Sequence, residues 1–220
     1  MNLPKMVARD MKEAIIYVSK IDRTIGRIML ILLFTGMTLG PITSVALPVL
    51  VMMFFDAGES TLGIMQAIVI FGGTVGVLLL NKIEDKVSIY SLRKMLGLCA
   101  VTIVPLVVVL FFSQTYLLSM IVVIATFFVI IGVFSVLGIV VWTYLGENVP
   151  GELIGKVLAL VTAITALGMA IGDFWIGEIF DWFIDTPGFA ILIMMIAIGI
   201  VSAFAKVRVT SSIEEAEVQE

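Results

Sequence analysis

Asp173 is the residue whose type and place most suggest chemistry. It stands in the apolar run Ala170-Ile171-Gly172-Asp173-Phe174-Trp175, where an ionisable group must find water, a partner or a proton. Two readings follow: a carboxyl that carries a coupling proton or recognises a cationic solute, or an early helix end at which Asp173, Glu178 and Asp181 form a solvated acidic mouth beside Trp175 and Trp182. Hydroxyl and amide groups recur in similar settings. Thr35, Thr38, Thr43 and Ser44 share one apolar stretch, Gln66 and Thr74 a second, Ser119, Thr126, Ser135 and Thr143 another, and Thr162 and Thr165 precede Asp173. Polar side chains in hydrocarbon face a protein interior or a water-filled path, which makes Asp173, Thr165, Thr38 and Gln66 candidates for a substrate or proton pathway.

Other chemistry is excluded by composition. The chain has no histidine, so His-based nucleophilic catalysis, His metal sites and imidazole relays are removed. An intramembrane protease would need a Ser-His dyad or paired aspartates, and Asp173 stands alone. The one cysteine, Cys99, lies in an apolar run and reads as a packing residue. No Gly-x-x-x-x-Gly-Lys-Ser segment occurs, so ATP hydrolysis would need another subunit. The expectation is a protein that is not an enzyme, with no catalytic residues, no metal and no cofactor.

The elements that must position these residues are membrane spans. At 61% hydrophobic and a mean hydropathy of +1.20, the chain is too apolar for an ordinary soluble domain. Six stretches are long enough to cross, from about Arg27 to Phe55, Thr61 to Leu80, Met95 to Phe112, Leu117 to Tyr144, Val157 to Phe180 and Phe189 to Ala205. The 13 Lys and Arg residues fall at 5–27, 82–94, 156 and 206–208, while the loops at 56–60, 113–116 and 181–188 have none. Retention of basic loops in the cytoplasm predicts a multi-pass protein of the cell (plasma) membrane with both termini cytoplasmic. Residues 1–26 read as a cytoplasmic amphipathic linker helix, with Val7, Met11, Ala14, Ile15, Val18 and Ile25 near helical spacing among Lys5, Arg9, Lys12, Lys20 and Arg23. Residues 27–205 form the transmembrane domain, and 206–220 a disordered cytoplasmic tail.

Spacing within the spans adds detail. Gly36 and Gly40, Gly72 and Gly76, and Gly168 and Gly172 place small residues four apart on one helix face, a pattern for close helix packing or for a gating interface. Gly40-Pro41 and Pro48 predict a kinked first span. The first, second, fourth and fifth spans hold most of the polar groups and are expected to line a cavity. The third, with Thr102, and the sixth, with Ser202, are expected to face lipid as supports.

Residues 147–181, ENVPGELIGKVLALVTAITALGMAIGDFWIGEIFD, resemble a segment of the major facilitator superfamily (MFS). There a Val-Pro precedes a Gly-basic pair and a Gly-rich eleventh helix closes on Gly-x-x-x-Asp; the matching residues are Val149, Pro150, Gly155, Lys156, Gly168, Gly172, Gly177 and Asp181. The opening ARDMKEAIIYVSKIDRTIGRIMLILLF resembles the central segment leading into the seventh helix of macrolide-efflux-like members. Asn81, Asp85 and Lys86 are the nearest correspondences to the loop signature Gly-x-x-x-Asp-Arg, and Gly36-Met37-Thr38-Leu39-Gly40-Pro41 resembles the core of the antiporter motif, though its position favours a Pro-kinked helix. The resemblance covers residues 8–205. It implies an all-α MFS half-bundle equivalent to helices seven to twelve, truncated or split from its N-terminal six, with substrate held between halves that rock against each other. It further implies proton-coupled efflux of an amphipathic drug-like solute. The implied partners are the lipid bilayer, a small-molecule substrate and either an N-terminal six-helix half or a second copy, with no nucleic acid. The alternatives are a permease subunit of an ABC system, whose acidic-Ala-Ala and Gly coupling pattern GENVPGELIGKV does not supply, and a non-transporting membrane scaffold.

Overall fold

Helices longer than the hydrocarbon is thick dominate the computed structural model, which describes residues 15, 16, 18, 23–83, 89–112 and 115–205. Among the described residues every element is helical. Six helices are long and apolar enough to cross a membrane: Thr24–Phe54, Glu59–Leu80, Leu92–Phe112, Tyr116–Asn148, Gly151–Trp182 and Pro187–Phe204. They are called the first to sixth spans below. At about 1.5 Å per residue, even the shortest approaches the roughly 30 Å of a bilayer core. Of the linker expected at 1–26, Ile15, Ile16 and Val18 are helical, with Val18 buried against the bundle. Most of that segment, Asp85 and Lys86 of the loop signature, and the tail 206–220 lie outside the described residues.

The expected kink in the first span takes the form of a wider winding. The α-helix Arg23–Leu39 gives way to π-helical turns at Ile42–Ala46 and Val49–Phe54, each introduced by a proline. Leu47 N–H bonds the Ile42 carbonyl and Phe55 N–H the Leu50 carbonyl, five residues back in each case. A proline has no N–H and crowds the carbonyl four residues before it. Shifting the ladder by one residue absorbs both defects while the chain continues across the membrane.

A second difference concerns the segment between the fourth and fifth spans. In place of a loop from Gly146 to Gly155, the fourth span runs on to Asn148 and the fifth begins at Gly151. Gly155 and Lys156 therefore sit in the first turns of a helix, and the break is confined to Val149-Pro150. The extended Val149 still donates to the Leu145 carbonyl, and Pro150 accepts from the Leu153 and Ile154 N–H groups. An interior glycine costs about 1 kcal/mol relative to alanine, too little to stop a helix with this much propagation on either side.

Three helix pairs make up the bundle: first with fifth, second with fourth, and third with sixth. The third also lies along the fourth, and the sixth along the first; the two spans poorest in polar residues thus pack on each other, but at 22% and 39% of their apolar windows buried they are no less enclosed than the second and fifth at 22%. Ser202 of the sixth donates to the Arg93 carbonyl of the third at 2.9 Å, and the Phe111 ring fills the space above Gly188, 3.0 Å from where a Cβ would stand. The first span is the most enclosed, 56% of its apolar window being buried against 22% for the second and fifth. Ile25, Ile28, Leu39, Ile42, Leu47 and Leu50 from it meet Phe127, Ile130, Ile176 and Phe180 in one core.

Exchanging first for fourth, second for fifth and third for sixth returns the same set of pairs. With three spans to a unit, successive units would cross a membrane in opposite senses, the pairing pattern expected of an inverted-topology repeat. The glycines repeat with it: one spacing separates Gly36 from Gly132, Gly72 from Gly168 and Gly76 from Gly172. The contacts correspond too, since a Cβ on Gly36 would stand 2.9 Å from the Thr165 carbonyl oxygen and one on Gly132 3.0 Å from that of Gly72.

Gly132→Leu should lower the melting temperature of the purified protein, overpacking costing about 1–3 kcal/mol. Gly138→Leu, where a Cβ meets nothing within 4 Å, should leave it near the unsubstituted value. Equal melting temperatures for the two variants would show that the close approach contributes nothing.

Candidate functional site at the first and fifth spans

Pro41 organises the junction between the first and fifth spans by what it lacks. With no N–H at position 41, the Met37 carbonyl loses its α-helical donor. The fifth span supplies a replacement: Trp175 Nε1 donates to the Met37 oxygen at 3.3 Å. That reach depends on Gly172, where a Cβ would stand 2.5 Å from the same oxygen. Lower on the same face, a Cβ on Gly168 would overlap the Leu33 carbonyl, and one on Gly36 would lie 2.9 Å from that of Thr165. Two backbones thus run in contact from Leu33 to Met37.

Directly above, Ser44 Oγ donates to Asp173 Oδ1 at 2.6 Å. The length lies at the short end of the O–H···O range. Ser44 lies in the π-helical segment Ile42–Ala46, and Pro48 removes the α-helical donor to the Ser44 carbonyl as well. The fifth span continues to Trp182, so Asp173 is inside it, roughly 13 Å from its end at 1.5 Å per residue. The reading in which the helix stops early to form an acidic mouth is not the one realised. Glu178, Asp181 and Trp182 are exposed on the last turns, whereas Asp173 is half-buried against the first span.

The remaining pathway candidates do not gather around Asp173. Thr38 is buried and its hydroxyl donates to the Phe34 carbonyl at 3.0 Å. Thr165 donates to the Val161 carbonyl at 2.9 Å, and Thr162 to that of Leu158 at 2.9 Å. Such hydroxyls are satisfied within their own helices. Thr162 and Thr165 nevertheless border a cavity of about 390 Å³ between the first, fourth and fifth spans, shared with Phe134, Ser135, Trp142 and Met169. Gln66 is half-buried on the second span and is not among the residues bordering that cavity. Among the described residues Thr35 Oγ1 is the buried side-chain oxygen with no hydrogen-bond partner.

The glycines singled out for packing or gating divide between the two interfaces. Gly36, Gly40, Gly168 and Gly172 lie at the first–fifth contact, where a Cβ on Gly40 would stand 2.7 Å from Met169 Cγ. Gly72 and Gly76 lie under the Phe128 and Gly132 carbonyls at the second–fourth contact. Pro150, Gly155 and Lys156 are at the opposite end of the fifth span from Asp173. Ser44, Met37 and Trp175 are the site residues that spacing alone did not single out. Ser44 stood among the polar residues and Pro41 flagged a freed carbonyl, but which helix would answer them depends on the register between spans.

The arrangement is a carboxyl latch on a wide helical segment. Compared with protein-family models, with curated proteins and with solved structures, the chain matches none.

Trp175→Phe should destabilise the protein by about 1 kcal/mol, the net worth of an ordinary hydrogen bond. In a Pro41→Ala background that cost should shrink, because the substituted alanine brings its own N–H to the Met37 carbonyl. A double-mutant cycle on thermal stability measures the coupling; strictly additive effects would show that Trp175 does not substitute for the missing donor.

Proposed function

We propose that the chain is the six-helix half of an MFS-type secondary transporter, macrolide-efflux-like, that exports an amphipathic drug-like solute in exchange for protons. The observation carrying this reading is the exchange symmetry of two three-helix units, in which the first span pairs with the fifth, the second with the fourth and the third with the sixth. Facilitator halves have this three-plus-three construction, and their substrate lies between two such halves. One half cannot enclose a central cavity, so the working unit pairs it with an N-terminal six-helix half or with a second copy. The resemblance of residues 147–181 to the segment around an eleventh helix supports the same reading.

In this mechanism Asp173 is the coupling group. Ionised, it accepts the Ser44 hydroxyl and holds the outer part of the fifth span against the π-helical segment of the first. Protonated, it no longer offers an anionic acceptor on both oxygens, and the latch weakens. Rocking of one half on the other would then alternate with protonation.

Reconstituted into vesicles with its partner half and a pH gradient, the protein should move solute, and Asp173→Asn should remove the proton-driven component while leaving the fold intact. Flux that is unchanged in Asp173→Asn removes the coupling role, and flux by the isolated monomeric chain removes the half-transporter account. The proposed orientation, with both ends in the cytoplasm, has a separate check. Cβ atoms at Gly58 and Gly151 would meet nothing within 4 Å, and the natural Cys99 is buried. A cysteine at Gly58 should react with a membrane-impermeant maleimide in intact cells, and one at Gly151 only after permeabilisation. The reverse pattern would invert the topology.

A further inference from the structure

The second span carries two polar side chains that nothing in the described chain answers. Gln66 and Thr74 lie about 10 Å and about 22 Å in from Glu59 at 1.5 Å per residue, both within the hydrocarbon. Hydroxyls elsewhere in the spans return to their own helices, as those of Thr38, Thr102, Thr162 and Thr165 do. Among the described residues neither the Gln66 amide nor the Thr74 hydroxyl has a hydrogen-bond partner. The buried side of this span, Met65, Val69 and Gly72, packs on the fourth. Gly63, Ala67, Ile70 and Thr74, one to each helical turn, form an exposed face beside the half-buried Gln66. An amide left unpaired in hydrocarbon is costly, and in membranes such groups are satisfied by bonding across to another helix.

We propose that a second copy of the chain docks on this face, with the two Gln66 amides paired across a two-fold axis. Copies inserted in one orientation are related by an axis along the membrane normal, so at a two-fold contact each residue meets its own copy at its own depth. Only side chains that complement themselves suit such a contact. An amide both donates and accepts, and so does a hydroxyl. Glycine and alanine let the two backbones come close enough for those groups to reach. The stretch Gly63–Thr74 supplies these types and contains no charged residue, and a Cβ on Gly63 would meet nothing within 4 Å. The exposed face of the fifth span differs, because it runs on to Glu178, which a two-fold contact would set against its own like charge. The contact decides which partner the chain takes and is independent of what passes through it.

Full-length protein carrying Gly151→Cys, labelled in separate batches with donor and acceptor maleimides, is mixed in phosphatidylcholine vesicles, and energy transfer is followed as lipid is added. Transfer should fall along the dissociation curve of a dimer. Gln66→Leu should move the midpoint to about tenfold higher protein density, roughly 1.4 kcal/mol, in keeping with a side-chain bond between spans. Gln66→Asn should retain most of the affinity, and Thr102→Val, whose hydroxyl serves its own helix, should leave it unchanged. With Gln66 intact, Ile70→Cys should give a disulfide-linked dimer on mild oxidation. Leu167→Cys on the fifth span, of similar exposure at 56% against 60%, should not. A chain that stays monomeric at every density overturns the proposal, as does a midpoint unmoved by Gln66→Leu, or cross-linking at Leu167→Cys in preference to Ile70→Cys. A dimer with these properties in vesicles that show no solute flux supports the contact and counts against transport, so the two readings fail separately.

Discussion

At Gly172 the fifth span presses its backbone onto the Met37 carbonyl of the first, and at Gly76 the second span does the same with the Gly132 carbonyl of the fourth. These contacts are the constraint on which the remainder of the bundle depends. Lipid tails are as apolar as leucine, so burying side chains between helices gains little over leaving them in the bilayer. Association must come from van der Waals contact and polar contacts made at close range, and both require that nothing project from the helix at the contact. Once the first and fifth spans touch in this way, and the second and fourth likewise, the third and sixth are left to pair behind them. The inverted repeat follows from where the glycines stand in each triplet.

The same contact makes the polar site possible. Without the near approach at Gly172, Trp175 would not reach the carbonyl that Pro41 deprives of its donor, and Asp173 would not meet Ser44. The two prolines convert part of the first span into a wider helix whose backbone groups need partners from outside. The fifth span answers one of them, Trp175 donating to the Met37 carbonyl, and two residues away Asp173 accepts the Ser44 hydroxyl. A local defect in one helix and a smooth face on another therefore combine into a single feature, in which a half-buried carboxyl is held by a hydroxyl from the irregular segment.

Much of the fold was legible in the order of residues. Apolar runs of sufficient length located six spans, because in hydrocarbon a chain must satisfy its own backbone and only a helix does so within one segment. Lack of polar residues in the third and sixth did not translate into lower burial, since the second and fifth are buried to 22% and the sixth to 39%. The prolines marked where the first span would be irregular, although not that it would widen. Boundaries were less legible: Gly146, Gly155 and Lys156 looked like loop residues yet are helical, since two glycines do not outweigh the neighbouring turns. The candidate site was legible only in part. Asp173 was evident from its charge, but Thr38 and Thr165, which looked equally suited to a polar path, direct their hydroxyls to the Phe34 and Val161 carbonyls of their own helices.

The sequence by itself determined the class of protein, the number of spans and the position of Asp173 in the apolar part of the fifth. These properties rest on local physics: hydropathy over some twenty residues, the missing proline N–H, and the cost of charge in lipid. Only the tertiary structure decided that Ser44 answers Asp173 and that Trp175 answers Met37. In a bilayer every helix surface is apolar, so periodicity does not say which face meets which neighbour. The register between helices is set by close backbone approach, and that is a property of pairs of spans and not of either span alone.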